Sequence, residues 1–367
     1  MGDVMDEQWV DLPDKLARLA ELARTRGATT MVLRDPASLS WLLGARVHVP
    51  QTLDTACLDV VVDLSGAVPR ILIVTNAIEA PRLRDTELSG LDAEWQVLPW
   101  WEARDGALPT GPTVAGDRPG RGVVALASEV AALRRTPTAH QRDVLRLVCR
   151  DAAAAATRTA LRLSSDMSEY AAAGVFAQEL LECGLDPIVL MVAGQSRMRA
   201  HRHPLPTFAP LGQRAMLVCC ARRNGLVASV TRIVSFASLN QQELDDYRRL
   251  LEVERVFLDA SQPGARLGEA FAAGVAAYQA HGFPADEWHR HHQGGFSGFQ
   301  PREFPAQHSS VARIDGGEVL AWNPSAVGWK VEDTGIVAPG GPELLVHDPS
   351  WPTIDVAGRA RPDVLIR

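Results

Sequence analysis

The chain has 367 residues, 46% hydrophobic and 22% charged, so it can bury a full core and is long enough for two domains. A net charge of -7 argues against a nucleic-acid surface, and no apolar run approaches the roughly 20 residues needed to span a membrane. The five cysteines, Cys57, Cys149, Cys183, Cys219 and Cys220, show no Cys-x-x-Cys spacing, which supports neither a structural zinc nor a disulfide framework and suits a reducing cytoplasm.

The opening MGDVMDEQWV lacks the basic-then-apolar order of a secretory leader, and Gly2 is not followed by Ser or Thr at position six, which speaks against myristoylation. Residues 8–26 carry apolar side chains at helical spacing with basic residues toward the end, and predict an entry helix. The runs TTMVLRDPASLSWLLGARVHV, ACLDVVVDLSG and RILIVT follow, short and β-branched and separated by turn signals. Strands alternating with helical segments to about residue 125 predict a compact α/β domain. Residues 105–122 are rich in Gly and Pro and read as turns or a linker.

Beyond them the chain becomes Ala-rich and helical, and a boundary near residue 130 divides it into domains 1–130 and 131–367. DMSEYAAAGVFAQELLECG predicts a helix capped by Ser165 or Asp166, and IVLMVAG a strand ending at Gly194. Two strands flank an Asn224-Gly225 turn; within the first, Cys219 and Cys220 read as small buried hydrophobes. Amphipathic helices follow over 243–261 and 268–282.

The chemistry concentrates between His289 and Asp333. HRHHQGGFSGFQPREFP sets glycines beside histidines ahead of a Pro-Arg-Glu-Phe-Pro turn, and LAWNPSAVGWKVEDTGIV supplies apolar strand-like runs ending in polar or charged groups. Glycine lets backbone approach a ligand closely and a strand holds a carboxylate in a fixed direction, so the pattern predicts a pocket.

The order His291, Gly294, Gly298, Glu303, Pro305, Asn323-Pro324 and Gly328 to Val331-Glu332-Asp333 resembles the C-terminal half of the pita-bread fold hydrolases. That group includes aminopeptidase P, prolidase, methionine aminopeptidase and the metal-free enzyme creatinase. The resemblance implies an α/β (α+β) chain, an N-terminal creatinase-like domain followed by a pita-bread domain. DPASLSWLLGARVHV is similar to the strand and helix start of such N-terminal domains, and Leu133-Arg134-Arg135 to the junction that leads into the catalytic domain.

Metal-binding members of the group hold two divalent ions with two Asp, one His and two Glu. The resemblance puts these positions on Val218 (Cys219 or Cys220 if the register slips), Ser229, Gly295, Asn323 and Glu332, and only Glu332 keeps the expected residue. One carboxylate, an amide and a hydroxyl do not balance two dications, so neither metal nor cofactor is expected.

His203, in AHRHPLPT, resembles a family histidine that acts outside the metal shell; counting back from the strand favours His201, and both stay candidates. His291 and Glu303 match two further family positions. With Glu332 these are the candidate catalytic groups, since histidine titrates near neutrality and a carboxylate can orient it or stabilise its charge. Candidate substrate-binding residues are Asn323, Arg232 and Ser229, with Arg232 also a partner for Glu332 and with Arg222, Arg223 or Arg313 available for a carboxylate. Because the family's dimers line one active site with the partner's N-terminal domain, a homodimer is implied, and Arg46 and His48 are candidates to reach across.

The expectation is a metal-independent, creatinase-like hydrolase cleaving a C–N bond of a small polar metabolite in the cytoplasm, with no nucleic-acid or membrane partner. A lyase or isomerase would use the same groups. Metal-free pita-bread domains also serve as peptide-binding modules, usually with charged tails or basic insertions that this chain does not show.

Overall fold

The computed structural model describes residues 8–49 and 55–367; most of the acidic opening, residues 1–7, lies outside them. The chain forms two compact units, Met1–Gln141 with Asn224–Leu226, and Arg142–Arg223 with Val227–Arg367. Among the described residues no helix is long and apolar enough to cross a membrane.

In the first unit the entry helix runs Leu12–Thr25 and buries Leu19 and Ala23, with Lys15 paired to Asp11 at 2.8 Å. Six strands form one sheet in the order β4-β3-β2-β1-β5-β6: β1 (Thr30–Leu33), β2 (Leu58–Asp63), β3 (Arg70–Asn76), β4 (Glu94–Leu98), β5 (Val114–Gly116) and β6 (Val124–Ala125). After β1, Asp35 caps the helix Pro36–Leu43 by accepting from the Ser38 N–H, and Gly44 ends it at φ 58°. The Gly/Pro-rich stretch expected to be turns or a linker also contributes β5, parallel to β1. Glycine is what admits it, because a Cβ on Gly116 would lie 2.7 Å from the Val32 carbonyl oxygen.

The second unit is built on a nine-stranded sheet whose main path runs β11-β10-β12-β15-β9-β8-β7. These strands are β7 (Asp186–Gly194), β8 (Arg214–Arg223), β9 (Leu226–Ser235), β10 (Gly294–Phe296), β11 (Phe304–Pro305), β12 (Val319–Trp322) and β15 (Asp333–Ile336); β13 (Ser325–Ala326) and β14 (Trp329–Lys330) form a small hairpin before β15. β8 and β9 are joined at Asn224-Gly225, with φ 50° and 85°, the left-handed pair that a two-residue hairpin turn requires. β7 forms an edge, in register with β8 through Met191–Val218 and Leu190–Cys219.

Helices Gln241–Ala260 and Leu267–Ala280 cover the sheet, and Phe257 stacks on Trp322 at 4.7 Å between ring centroids. The first of them starts with a capping box between Asn240 and Glu243. Helix Glu169–Glu182 is capped by Ser168, which accepts from the Ala171 N–H at 3.2 Å. Ser165 and Asp166, expected as caps, precede it in a turn in which the Ser164 hydroxyl donates to Asp166. Buried Glu169 accepts from the Gly194 and Thr207 N–H groups, both at 2.9 Å, and so ties the end of β7 to the loop that carries His203.

Candidate functional site

Within the second unit a cavity of about 420 Å³ has two unlike walls. Ile188, Val189, Leu190 and Met191 of β7, with Leu205 and Val218, make it apolar on one side. His203, His292, Arg302, Asn323, Lys330 and Glu332 make it polar on the other, with Cys220 between. Lys330 and Glu332 share this wall because residues two apart on an extended chain point the same way.

Glu332 is buried and held by two cations at once: Lys330 meets one carboxylate oxygen and Arg302 the other. Lys330 also donates to Thr231 Oγ1 at 2.6 Å. Burial pushes the Glu332 carboxyl up, but Lys330 and then Arg302 outweigh it and bring it down to about 2. The polar wall thus carries a fixed anion under two fixed cations.

Asn323 is buried, and among the described residues its Oδ1 accepts no hydrogen bond. A buried amide oxygen left unpaired costs about 1–3 kcal/mol, which a ligand N–H recovers.

His203 Nε2 lies 2.9 Å from His291 Nε2, and His291 Nδ1 lies 3.1 Å from the Ser325 hydroxyl. In the first contact one ring nitrogen donates and the other accepts, so Ser325, His291 and His203 form a hydrogen-bonded line that ends in the cavity. The Ser325 N–H is itself fixed on the Tyr278 hydroxyl at 2.9 Å. His203 keeps solvent contact, but desolvation of its ring and then the charge of Lys330 lower its pKa. For buried His291, desolvation and then Lys330 bring it to about 2; for His292, desolvation and then Arg302 bring it to about 4. All three imidazoles are therefore neutral at pH 7, and in the tautomer where His203 Nε2–H donates to His291 its Nδ1 is left as an acceptor.

The structure thus brings together His203, His291, Asn323 and Glu332 of the candidates. It places the others elsewhere. Arg232 does not bind Glu332: one residue earlier on β9, Thr231 faces Lys330, so Arg232 faces the opposite side and donates to Asp333 at 2.7 Å and the Val346 carbonyl at 3.1 Å. Ser229 is fully buried behind the cavity, its N–H bonded to Thr334 Oγ1 and its hydroxyl near Cys220. Glu303 does not line the cavity; its carboxylate accepts from the Phe299 N–H at 3.1 Å, and its neighbour Arg302 takes the wall position. His201 is exposed at the end of helix Gln195–Ala200 and does not line the cavity. Arg46 and His48 belong to the first unit, where Arg46 pairs with Glu87 at 3.2 Å. Arg222 and Arg223 pair with Asp186 and Asp151, and Arg313 donates to the Gly264 carbonyl.

Lys330, Arg302 and His292 were missed by sequence reasoning. Lys330 had a legible signal, a lysine two residues before a strand carboxylate in an apolar run.

Two metal arrangements can be tested against these residues. The paired-ion site of the pita-bread enzymes does not fit. Its one remaining carboxylate already carries Lys330 and Arg302, and Val218, Ser229 and Asn323 offer no anion. At Gly295, φ is 142° and an added Cβ would meet the Phe304 oxygen at 2.3 Å, so the backbone has no room for a histidine there. His203, His291 and His292 do present ring nitrogens within 4.8 Å of one another, a donor set suited to one borderline ion such as zinc.

The nine-stranded sheet with its covering helices, preceded by a smaller α/β unit, is the pita-bread architecture of the prolidases and Xaa-Pro aminopeptidases. The chain belongs to metallopeptidase family M24, whose model matches residues 143–341, more than half of it. No curated protein matches the sequence. Among solved structures it is similar to an Xaa-Pro dipeptidase from Bacillus anthracis, with TM-score 0.75, 15% identity, and 97% of this chain and 100% of that one covered. It is equally similar to dipeptidase PepE from Mycobacterium ulcerans, with TM-score 0.75, 18% identity, and 97% and 98% covered. The N-terminal domain of the FACT complex subunit SPT16 from Eremothecium gossypii matches with TM-score 0.64, 10% identity, and 92% and 96% covered. At these identities the likenesses carry the fold.

Proposed function

We propose that the protein is a metal-independent hydrolase that cleaves a C–N bond of a small metabolite, with His203 as its proton carrier. The observation that carries this reading is the 2.9 Å contact between His203 and His291 beside a Glu332 already neutralised by Lys330 and Arg302. His203 takes a proton from water as its oxygen bonds to the substrate carbon. The same imidazole then delivers that proton to the departing nitrogen as the C–N bond breaks. Such proton transfer contributes roughly 10²–10⁴-fold. His291, anchored on Ser325, is a positioning residue that fixes the ring of His203.

Lys330 has three ammonium protons, of which Thr231 and Glu332 take two. The third is available to an oxyanion forming in the cavity, the role that fixed cations fill in preorganised sites. The same reading takes residues 131–367 as the catalytic domain of a cytoplasmic homodimer, with Arg46 and His48 at the rim of the partner's pocket. A lyase or isomerase would use the same His203, and product analysis separates it from a hydrolase.

A second reading is favoured by the three clustered histidines: one metal ion held by His203, His291 and His292 and acting on water. Two cations facing the same cavity disfavour it. The test is turnover of a panel of amides, ureas and guanidines by protein stripped with chelator, alongside His203→Ala. Activity that survives stripping and is lost in the variant supports the first reading; activity restored only by added metal overturns it.

A further inference from the structure

We infer that the cavity takes a ureido carboxylate, an N-carbamoyl amino acid with an apolar side chain, and discriminates against guanidino acids and free amino acids. The inference rests on the hydrolase reading for its chemistry but on three separate features for its choice of ligand.

The first is charge. Lys330 and Arg302 against Glu332 leave one positive charge on the polar wall. A partly desolvated site with a surplus cation attracts a monoanion and repels a second cation. A carboxylate matches it. A guanidinium or an α-ammonium sets a positive group beside two others.

The second feature is Asn323. Its carboxamide is 2% exposed, and its oxygen has no hydrogen-bond partner among the described residues. A side-chain amide offers one acceptor and two donors on one planar edge. A neutral urea presents the complement, a carbonyl beside an N–H, and pairs with it at two points. A cationic guanidinium has donors but no acceptor and satisfies only the oxygen.

The third is the opposite wall, where Leu190, Met191, Leu205 and Val218 offer apolar contact to a side chain. Cleavage of such a ligand balances without an added reagent. Water oxygen bonds to the ureido carbon, the bond from that carbon to the α-nitrogen breaks, and the nitrogen receives the proton that His203 took from water. The products are the free amino acid and carbamic acid, which falls to carbon dioxide and ammonia.

Calorimetric titration of the full chain with N-carbamoyl-leucine, its carboxamide, N-amidino-leucine and leucine tests this at pH 7.5, with thermal melts confirming that each variant folds. The expected result is at least tenfold tighter binding of N-carbamoyl-leucine than of the other three. Asn323→Asp removes the surplus charge and should reverse the order of the ureido and guanidino acids, and Arg302→Gln should abolish the preference for the carboxylate. Binding of the guanidino acid as tightly as the ureido acid, or no binding by any of the four, overturns the inference. Tight, selective binding without release of leucine leaves this ligand assignment standing and counts against the hydrolase reading. Hydrolysis of an uncharged amide with no binding of the ureido acid does the reverse.

Discussion

Lys330 sets its ammonium on the Glu332 carboxylate from two residues away on the same face of the chain, with Thr231 holding it from β9 at 2.6 Å. Where metal-binding pita-bread enzymes keep an ion against this carboxylate, the protein supplies a cation of its own. That arrangement makes Glu332 a fixed charge held by two cations, and in the proposed reading proton transfer falls to the histidines.

Removing Lys330 leaves Glu332 with Arg302 alone. Breaking one side of a buried ion pair costs about 3–5 kcal/mol, and with Arg302 remaining the low end applies. Lys330→Met should therefore lose roughly 3 kcal/mol in urea unfolding, and adding Glu332→Gln should recover most of it. Equal losses in the single and double variants would show that the pair is not coupled.

Acid should destabilise the protein in two stages. His291 is depressed to about 2 in the folded state, so below its ordinary pKa of about 6.5 the unfolded chain binds a proton that the folded one refuses. Unfolding free energy should then fall by up to about 1.4 kcal/mol per pH unit as pH drops below that point. Glu332, also depressed to about 2, contributes stability above its ordinary carboxyl range that is lost as pH falls from there toward 2. His291→Gln should flatten the slope between pH 6.5 and pH 4.5 and leave the steeper part below it.

How much of this was legible in the sequence follows from strand parity and from what each residue type usually does. The glycine–histidine run and the Val331-Glu332-Asp333 strand carried the resemblance to the fold, and of the candidates His203, Asn323 and Glu332 line one cavity, with His291 bonded to His203. Arg232 was misread because the sequence shows a neighbour of a site residue without its direction, and one residue on a strand reverses the face. Arg302 and Glu303 exchanged roles for the same reason. His292 carries no distinguishing pattern of its own, and the signal at Lys330, its place two residues before a strand carboxylate, is recognisable only once that carboxylate is identified as its partner.

His203→Ala should lower kcat by roughly 10²–10⁴-fold with little change in KM or melting temperature, since the ring is exposed and its loss opens no core cavity. His291→Gln, which alters only the orienting contact, should shift the acidic limb of the pH–rate profile. A loss of rate with an unmoved profile would mean that His291 serves packing alone.

Arg232 belongs to a buried ionic cluster in which Asp333 also receives Arg361, and Arg361 is paired with Glu254 at 2.7 Å. Arg232→Ala should destabilise the protein by about 3 kcal/mol, measured by denaturant, while ligand affinity at the cavity stays within twofold of the parent once the variant is folded. A large loss of affinity in a fully folded variant would return Arg232 to the binding site.

The central claim, that Lys330 and Arg302 stand where ions would otherwise neutralise Glu332, is tested most directly by elemental analysis of the protein after dialysis against manganese, cobalt and zinc. The account predicts substoichiometric metal in the parent and no change in Glu332→Gln. Two ions per chain that disappear with Glu332→Gln, or one that disappears with His292→Ala, would contradict it.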